Sequence, residues 1–279
     1  MSTLQQSLFK KSSKTFYYST LFFPKYMRSD IHDLYAFVRT ADDYVDTLPQ
    51  DREAFYRFRD DSLSALDHPD TRSPDPIIAW FVDVYKKYDF RKEWVESFLG
   101  AMESDLSVVS MTDVEALEKY MYGSAAVVWY MMCAIFSIDD PDSLHAAKML
   151  AYSMQSINFI RDVAEDNELG RKYLYDIGDI HYDWLIIQDE HLSPFIDLHL
   201  KNYYAYLRKA QTWLYDLPLA FRVPVLTASD MYAWTAREIE KNPSVIFKRK
   251  IKPTKGQIII HAIRNFIVEW VWITRLIKS

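Results

Sequence analysis

Two stretches of the chain carry acidic side chains at helical spacing within otherwise apolar sequence. The first is Tyr35-Ala36-Phe37-Val38-Arg39-Thr40-Ala41-Asp42-Asp43-Tyr44-Val45-Asp46. At about 100° per residue, Tyr35, Arg39, Asp42 and Asp46 fall within an arc of about 60°, with Asp43 to one side. Asp42 and Asp46 stand four residues apart and repel unless positive charge lies between them. A hard cation such as Mg²⁺ is one remedy, and Arg39 on the same face is another. Leu34, Phe37, Val38, Tyr44 and Val45 place apolar groups on most other sides. That is the pattern of a buried helix, and buried carboxylates need partners. The second stretch is Gln155-Ser156-Ile157-Asn158-Phe159-Ile160-Arg161-Asp162-Val163-Ala164-Glu165-Asp166. Here Gln155, Asn158, Asp162 and Asp166 form a stripe within about 80°, with Glu165 at its edge and Arg161 about 60° away.

Either stretch alone would serve equally well as a solvated helix face. Two acidic stripes on separate apolar helices can instead meet in the core of a bundle, where metal sites are built. Mg²⁺ takes few protein carboxylates and leaves positions for water and phosphate oxygens. Arg39 and Arg161 suit a diphosphate, because guanidinium forks match phosphate oxygens. The combination fits activation of a diphosphate leaving group, with metal and Arg stabilising the charge that develops as the C–O bond breaks. The allylic cation left behind needs a dry cavity with aromatic faces. Phe16, Tyr17, Phe22, Phe37, Tyr122, Trp129, Phe159 and Tyr232 are candidates. There is no HExxH, no Cys/His ligand spacing, no Walker loop and no Gly-rich dinucleotide turn.

The elements that must position these groups read as helices. Only 5 Gly occur in 279 residues, and 49% of the chain is hydrophobic. Helical patterning covers 29–46, 51–66, 76–88, 91–107, 114–136, 143–166, 195–216, 226–241 and 256–277, and no run alternates long enough to demand a strand. The breaks fall at Asp67–Pro76, Ser137–Ser143, Gly178–Pro194 and Lys241-Asn242-Pro243. The expectation is an all-α, single-domain helical bundle over residues 1–279. A formal net charge of −6 argues against a nucleic-acid footprint. The lone Cys133 excludes an internal disulfide and suits a reducing compartment. Met1 to Lys14 lacks the apolar stretch of a secretory signal, so a cytoplasmic setting is expected. Arg264, Glu269 and Arg275 interrupt the apolar run Gln257–Ile277. It therefore reads as an amphipathic helix packed on the body rather than a membrane span, with peripheral membrane contact as the other use of such a helix.

Beyond these inferences, the chain resembles the phytoene/squalene synthases, the head-to-head prenyl synthases, over nearly its whole length. Ser12-Ser13-Lys14-Thr15-Phe16 looks like the family's S-K-S-F entry. Leu34 to Asp46 is similar to L-Y-A-F-x-R-x-x-D-D-x-x-D, and Tyr120-Met121-Tyr122-Gly123-Ser124-Ala125 to Y-x-Y-G-x-A. Gln155 to Asp166, followed by Gly170-Arg171-Lys172-Tyr173-Leu174, is similar to Q-x-x-N-x-x-R-D-x-x-E-D…R-x-Y-L-P. The resemblance implies an isoprenoid-synthase-type bundle with a central cavity. It implies Mg²⁺ on Asp42, Asp46, Asn158, Asp162 and Asp166. Ser12, Lys14, Thr15, Tyr35, Arg39, Gln155 and Arg161 would contact diphosphates, and Tyr122 and Tyr232 would line the substrate site. Catalysis would fall to Asp42, Asp46, Asp162, Asp166 and Arg39. Two departures stand out: Tyr175 replaces the motif's final proline, and Trp129 stands where many relatives carry glycine.

The implied reaction condenses two prenyl diphosphates through a cyclopropylcarbinyl diphosphate to a 1,1′-linked hydrocarbon. The favoured reading is two geranylgeranyl diphosphates to phytoene. The alternatives are dehydrosqualene or squalene from farnesyl diphosphate, NADPH being consumed only for squalene. Chain-elongating prenyltransferases and terpene cyclases also use DDxxD, which Asp42 to Asp46 spells, but Arg161-Asp162 and Arg171-Lys172-Tyr173-Leu174 favour the head-to-head family. A non-catalytic relative acting as an assembly factor would be free to lose the carboxylates, and all four principal ones stand. Peripheral membrane contact for product release is a further expectation, and the oligomeric state is left open.

Overall fold

The computed structural model describes residues 20, 22–182 and 191–278, with side chains through residue 270. Eleven α-helices are found among them: α1 Lys25–Asp46, α2 Arg52–Asp67, α3 Pro76–Lys87, α4 Lys92–Ser104, α5 Val114–Met121, α6 Val127–Ile135, α7 Pro141–Arg161, α8 Val163–Glu168, α9 Leu192–Asp216, α10 Leu219–Lys241 and α11 Lys255–Lys278. The starts follow from local chemistry. Asp51, Asp75, Asp113 and Asp140 each accept a backbone N–H of the first turn of α2, α3, α5 and α7. Pro76 and Pro141 occupy the opening of α3 and α7, where a missing N–H costs nothing.

Helix α7 is the axis of the bundle and packs most extensively on α9. Ala146, Ala147, Ala151, Ser153 and Ser156 are all buried along it, and small side chains let neighbouring helices approach. Phe37 of α1 stacks on Phe81 of α3 at 3.8 Å. Phe136 stacks on Phe221 at 4.4 Å.

Several expected boundaries shift. Helix α1 begins at Lys25 rather than 29, because Met27 already faces the core. Helix α10 begins at Leu219 rather than 226 and contains Pro224. Burial of Phe221, Val223 and Val225 outweighs the lost backbone hydrogen bond. The helix expected at 114–136 is interrupted by a π-helical turn, Tyr122–Ala126. A Cβ on Gly123 would meet the carbonyl oxygen of Ser97 at 2.5 Å and Ala101 Cβ at 2.9 Å. This turn therefore lies against α4 at a distance only glycine permits. The helix expected at 143–166 breaks at Asp162, whose φ and ψ are −99° and 8°. The sequence shows no strand, yet Val109–Ser110 (β1) pairs in parallel with Arg171–Lys172 (β2); two residues are too few to leave a period in sequence.

Helix α11 packs on α10, as expected of an amphipathic helix lying on the body. The side it buries is mixed: Ile258 and Ala262 are fully buried there, beside polar groups. Asn265 Nδ2 donates to Asp230 Oδ2 of α10 at 2.9 Å, and Arg222 Nη1 to Glu269 Oε2 at 2.5 Å. Among the described residues no helix is long and apolar enough to cross a membrane.

Candidate active site

The two acidic stretches line one cavity of about 570 Å³. Helix α1 contributes Tyr35, Arg39 and Asp46; α7 contributes Asn158 and Arg161; the junction and α8 contribute Asp162, Glu165 and Asp166. Helix α10 supplies Met231, Tyr232 and Thr235, and the segment before α11 supplies Lys250, Lys252 and Pro253.

The break at Asp162 leaves the acidic stripe aligned. Asp162 N donates to Asn158 O at 2.8 Å and Asp166 N to Asp162 O at 2.9 Å, so the spacing of four residues survives. Asn158 Nδ2 donates to Gln155 Oε1 at 3.0 Å, which fixes the amide and leaves its buried Oδ1 without a partner.

Positive charge is distributed unevenly around these groups. Arg39 Nη1 reaches Asp42 Oδ2 at 2.6 Å and Nη2 reaches Asp43 Oδ1 at 2.5 Å. Arg161 Nε donates to Asp162 Oδ1 at 2.8 Å and its Nη2 to the other oxygen. Lys250 Nζ approaches Asp162 Oδ1 at 3.6 Å and pairs with Glu165. Burial opposes charge on Asp162, but Arg161, Lys250 and Lys252 hold its carboxyl below the usual range. Asp166 is pushed up to about 8, by burial first and then by Asp162, with Arg171 only partly compensating. Asp42 rises to about 7 through burial and Asp46, against the pull of Arg39. Burial, Lys250 and Arg161 together lower Lys252.

Four residues that the sequence did not single out for a role contribute to the site: Arg171, Asp105, Lys250 and Lys252. Arg171 is 3% exposed; its Nη1 donates to Asp46 Oδ1 at 2.6 Å, and its Nη2 to Val45 O at 2.7 Å and Asp105 O at 3.1 Å. Asp105 is 2% exposed and accepts from the Tyr120 and Tyr173 hydroxyls at 2.7 Å each. Burial raises Asp105 to about 6, with Arg171 and the two tyrosines opposing. This buried network anchors the C-terminal end of α1 to β2, and it explains why the segment Gly170 to Leu174 belongs to the site. Lys250 and Lys252 come from the basic run Lys248-Arg249-Lys250-Ile251-Lys252, which reads as a solvated charge cluster until the fold turns it over the cavity.

Other expected residues lie elsewhere. Asp42 and Gln155 do not themselves border the cavity but contact two residues that do, Arg39 and Asn158. Tyr122 lines a separate groove of about 660 Å³ with Ser97, Ala101 and Gly123, because the π-helical turn lies against α4. Phe37 and Phe159 are core, the latter stacked on Tyr173 at 4.4 Å, and Trp129 is buried outside the cavity lining. Of the aromatic candidates among the described residues, only Tyr232 lines the cavity. Ser12, Lys14, Thr15, Phe16 and Tyr17 lie outside the described residues.

The donors fit a hard divalent cation. Burial and neighbouring carboxylates oppose charge on Asp42 and Asp166 more than Arg39 and Arg171 favour it, an imbalance a cation would relieve, and Asn158 Oδ1 is an unused oxygen ligand. Among the described residues no three His, Cys, Asp or Glu side chains stand close enough together to hold a metal ion by themselves. An open arrangement is what Mg²⁺ uses, since it retains water and takes substrate phosphate oxygens.

The profile of the squalene/phytoene synthase family matches residues 9–257. The phytoene synthase of Rhodobacter capsulatus is 27% identical over 270 residues, covering 90% of this chain and 77% of that protein. The 4,4'-diapophytoene synthase of Staphylococcus haemolyticus is 28% identical over 183 residues, covering 62% and 64%. The crystal structure of a squalene synthase from Alicyclobacillus acidocaldarius superposes with a TM-score of 0.76 at 18% identity, covering 85% of this chain and 92% of that one.

Proposed function

The chain belongs to the squalene/phytoene synthase family and is a prenyltransferase, and from that premise we propose that it condenses two geranylgeranyl diphosphates head to head to phytoene. One observation carries this reading: carboxylates from α1 and from α7–α8 border a single cavity together with Arg39, Arg161, Lys250 and Lys252. Such a site can hold diphosphate oxygens on both sides. Relatives whose alignment spans most of this chain, such as that of Rhodobacter capsulatus, are named phytoene synthases, which supports the C20 substrate over C15.

In this account the first prenyl diphosphate loses its C–O bond while Arg39 and Arg161 take up the charge on the departing diphosphate. The double bond of the second substrate captures the allylic cation, and loss of a proton gives a cyclopropylcarbinyl diphosphate. A second ionisation, rearrangement and loss of a further proton complete the hydrocarbon, so two diphosphates and two protons leave. No reductant is consumed. Tyr232, whose phenol is held protonated by burial, presents an aromatic ring to the cavity. Asp42, Asp46, Asn158, Asp162 and Asp166 would hold Mg²⁺, which when bound adds Lewis-acid stabilisation of the leaving diphosphate.

Asp42→Asn and Asp162→Asn test the assignment. Each should lower diphosphate release by orders of magnitude; Asp42→Asn should leave melting temperature unchanged or raised, whereas Asp162→Asn should lower it, because Arg161 loses its carboxylate partner. Near-normal turnover in Mg²⁺ by either variant would remove the carboxylates from the mechanism.

A further inference from the structure

Helix α11 presents its apolar side to solvent. Ile260 is 66% exposed and Trp270 56%, and Ile263, Phe266 and Ile267 between them are each about half exposed. At about 100° per residue these five fall within one arc of about 120°. The opposite side is where the polar groups lie: His261 and Asn265 face Asp230 of α10, and Glu269 is buried against Arg222. A helix on a water-soluble surface is ordinarily arranged the other way. Here Ile258, Ala262 and these polar groups share the inner face, and among the described residues the outer face is an apolar stripe longer than scattered surface residues account for.

Charge identifies what the stripe meets. From Lys248 onward the chain has eight Lys and Arg and one acidic residue, Glu269, in a protein whose formal net charge is −6. Glu269 is paired inward with Arg222, so no anion on this segment faces outward. Arg264 is exposed beside the stripe, and Lys255 and Lys252 are exposed at its start. An apolar stripe bordered by cations matches an anionic bilayer surface, where the stripe enters the acyl boundary and the cations meet headgroups.

We infer that α11 docks this protein onto anionic lipid membranes through Ile260, Ile263, Phe266, Ile267 and Trp270. The segment immediately before the stripe carries Lys250, Lys252 and Pro253 of the cavity lining, so docking brings that end of the cavity next to lipid. The inference stands on α11 and does not depend on which hydrocarbon the cavity makes.

Sedimentation with vesicles of phosphatidylcholine alone, and of phosphatidylcholine mixed equally with phosphatidylglycerol, tests it. The protein should bind the mixed vesicles and bind the neutral ones far less. Ile263→Gln combined with Phe266→Gln and Ile267→Gln should lower binding to mixed vesicles by about tenfold or more without changing the melting temperature. Arg264→Glu is the second variant, informative should the triple change disturb folding, and it should weaken binding to mixed vesicles only. Absence of binding to either vesicle would overturn the proposal. So would unaltered binding by both variants, which would place the contact elsewhere. A dimer that the triple variant dissociates, with no vesicle binding by the parent protein, would assign the stripe to a second copy of the chain instead.

Discussion

Replacing Asp166 by Asn should make the metal-free protein more stable, not less. In the folded chain the Asp166 carboxyl titrates at about 8 against an ordinary 3.8, because burial and Asp162 disfavour its charge. Raised in this way, the group favours the folded state most at low pH, where it carries its proton in either state. That advantage is lost as pH climbs from about 4 to about 8, since only the unfolded chain ionises freely. At about 1.36 kcal/mol per pH unit the ceiling is roughly 6 kcal/mol above pH 8. Partial exposure and sharing of charge with Asp162 and Asp46 reduce the net gain on neutralisation to about 2 kcal/mol. For a chain of this size that is a rise of about 4–8 °C in melting temperature at pH 8. Mg²⁺ relieves the same repulsion, so it should raise the melting temperature of the parent protein more at pH 8 than at pH 6. In Asp166→Asn the Mg²⁺ increment should largely vanish. Differential scanning calorimetry at the two pH values, with EDTA or Mg²⁺, reads all four quantities. A variant less stable than the parent in EDTA at pH 8, or one retaining the full Mg²⁺ increment, would refute the electrostatic argument.

Arg171→Met should destabilise by about 1–3 kcal/mol, since it removes the guanidinium that offsets the buried Asp105 carboxylate and pairs with Asp46; chemical denaturation checks this. The conservative Arg171→Lys should recover part of that stability, but a single ammonium cannot span the three acceptors, so turnover should stay reduced. Trp129→Gly opens a core cavity and should cost about 3–5 kcal/mol. Because Trp129 lies outside the cavity lining, the ratio of C15 to C20 turnover should stay unchanged, and a shift in that ratio would place it against the substrate.

The helical class and the two acidic stripes were legible because each rests on a local period: apolar residues every three to four positions, and carboxylates four apart. What the sequence concealed was non-local. Arg171 meets Asp46 across 125 positions, and a two-residue parallel pairing brings them together, with no repeat to betray it. Asp105 acquires its place from two tyrosines, at 120 and 173, on different elements. Tyr122 lines a second groove rather than the acidic cavity, because the π-helical turn Tyr122–Ala126 shifts the face that a regular helix would present. That α11 packs on the body was legible, but its exposed apolar stripe was not, for a related reason: a helix apolar on more than one side does not itself specify which side protein covers, and Arg222 and Asp230 on α10 help decide it.

The most direct test of the central claim is the stoichiometry and structure of the product. Incubated with geranylgeranyl diphosphate and Mg²⁺, the protein should yield a C40 hydrocarbon joined through the two former C1 atoms, with two diphosphates released per hydrocarbon and none formed in EDTA. A longer prenyl diphosphate with one diphosphate released, or a cyclic hydrocarbon from a single substrate molecule, would contradict head-to-head condensation.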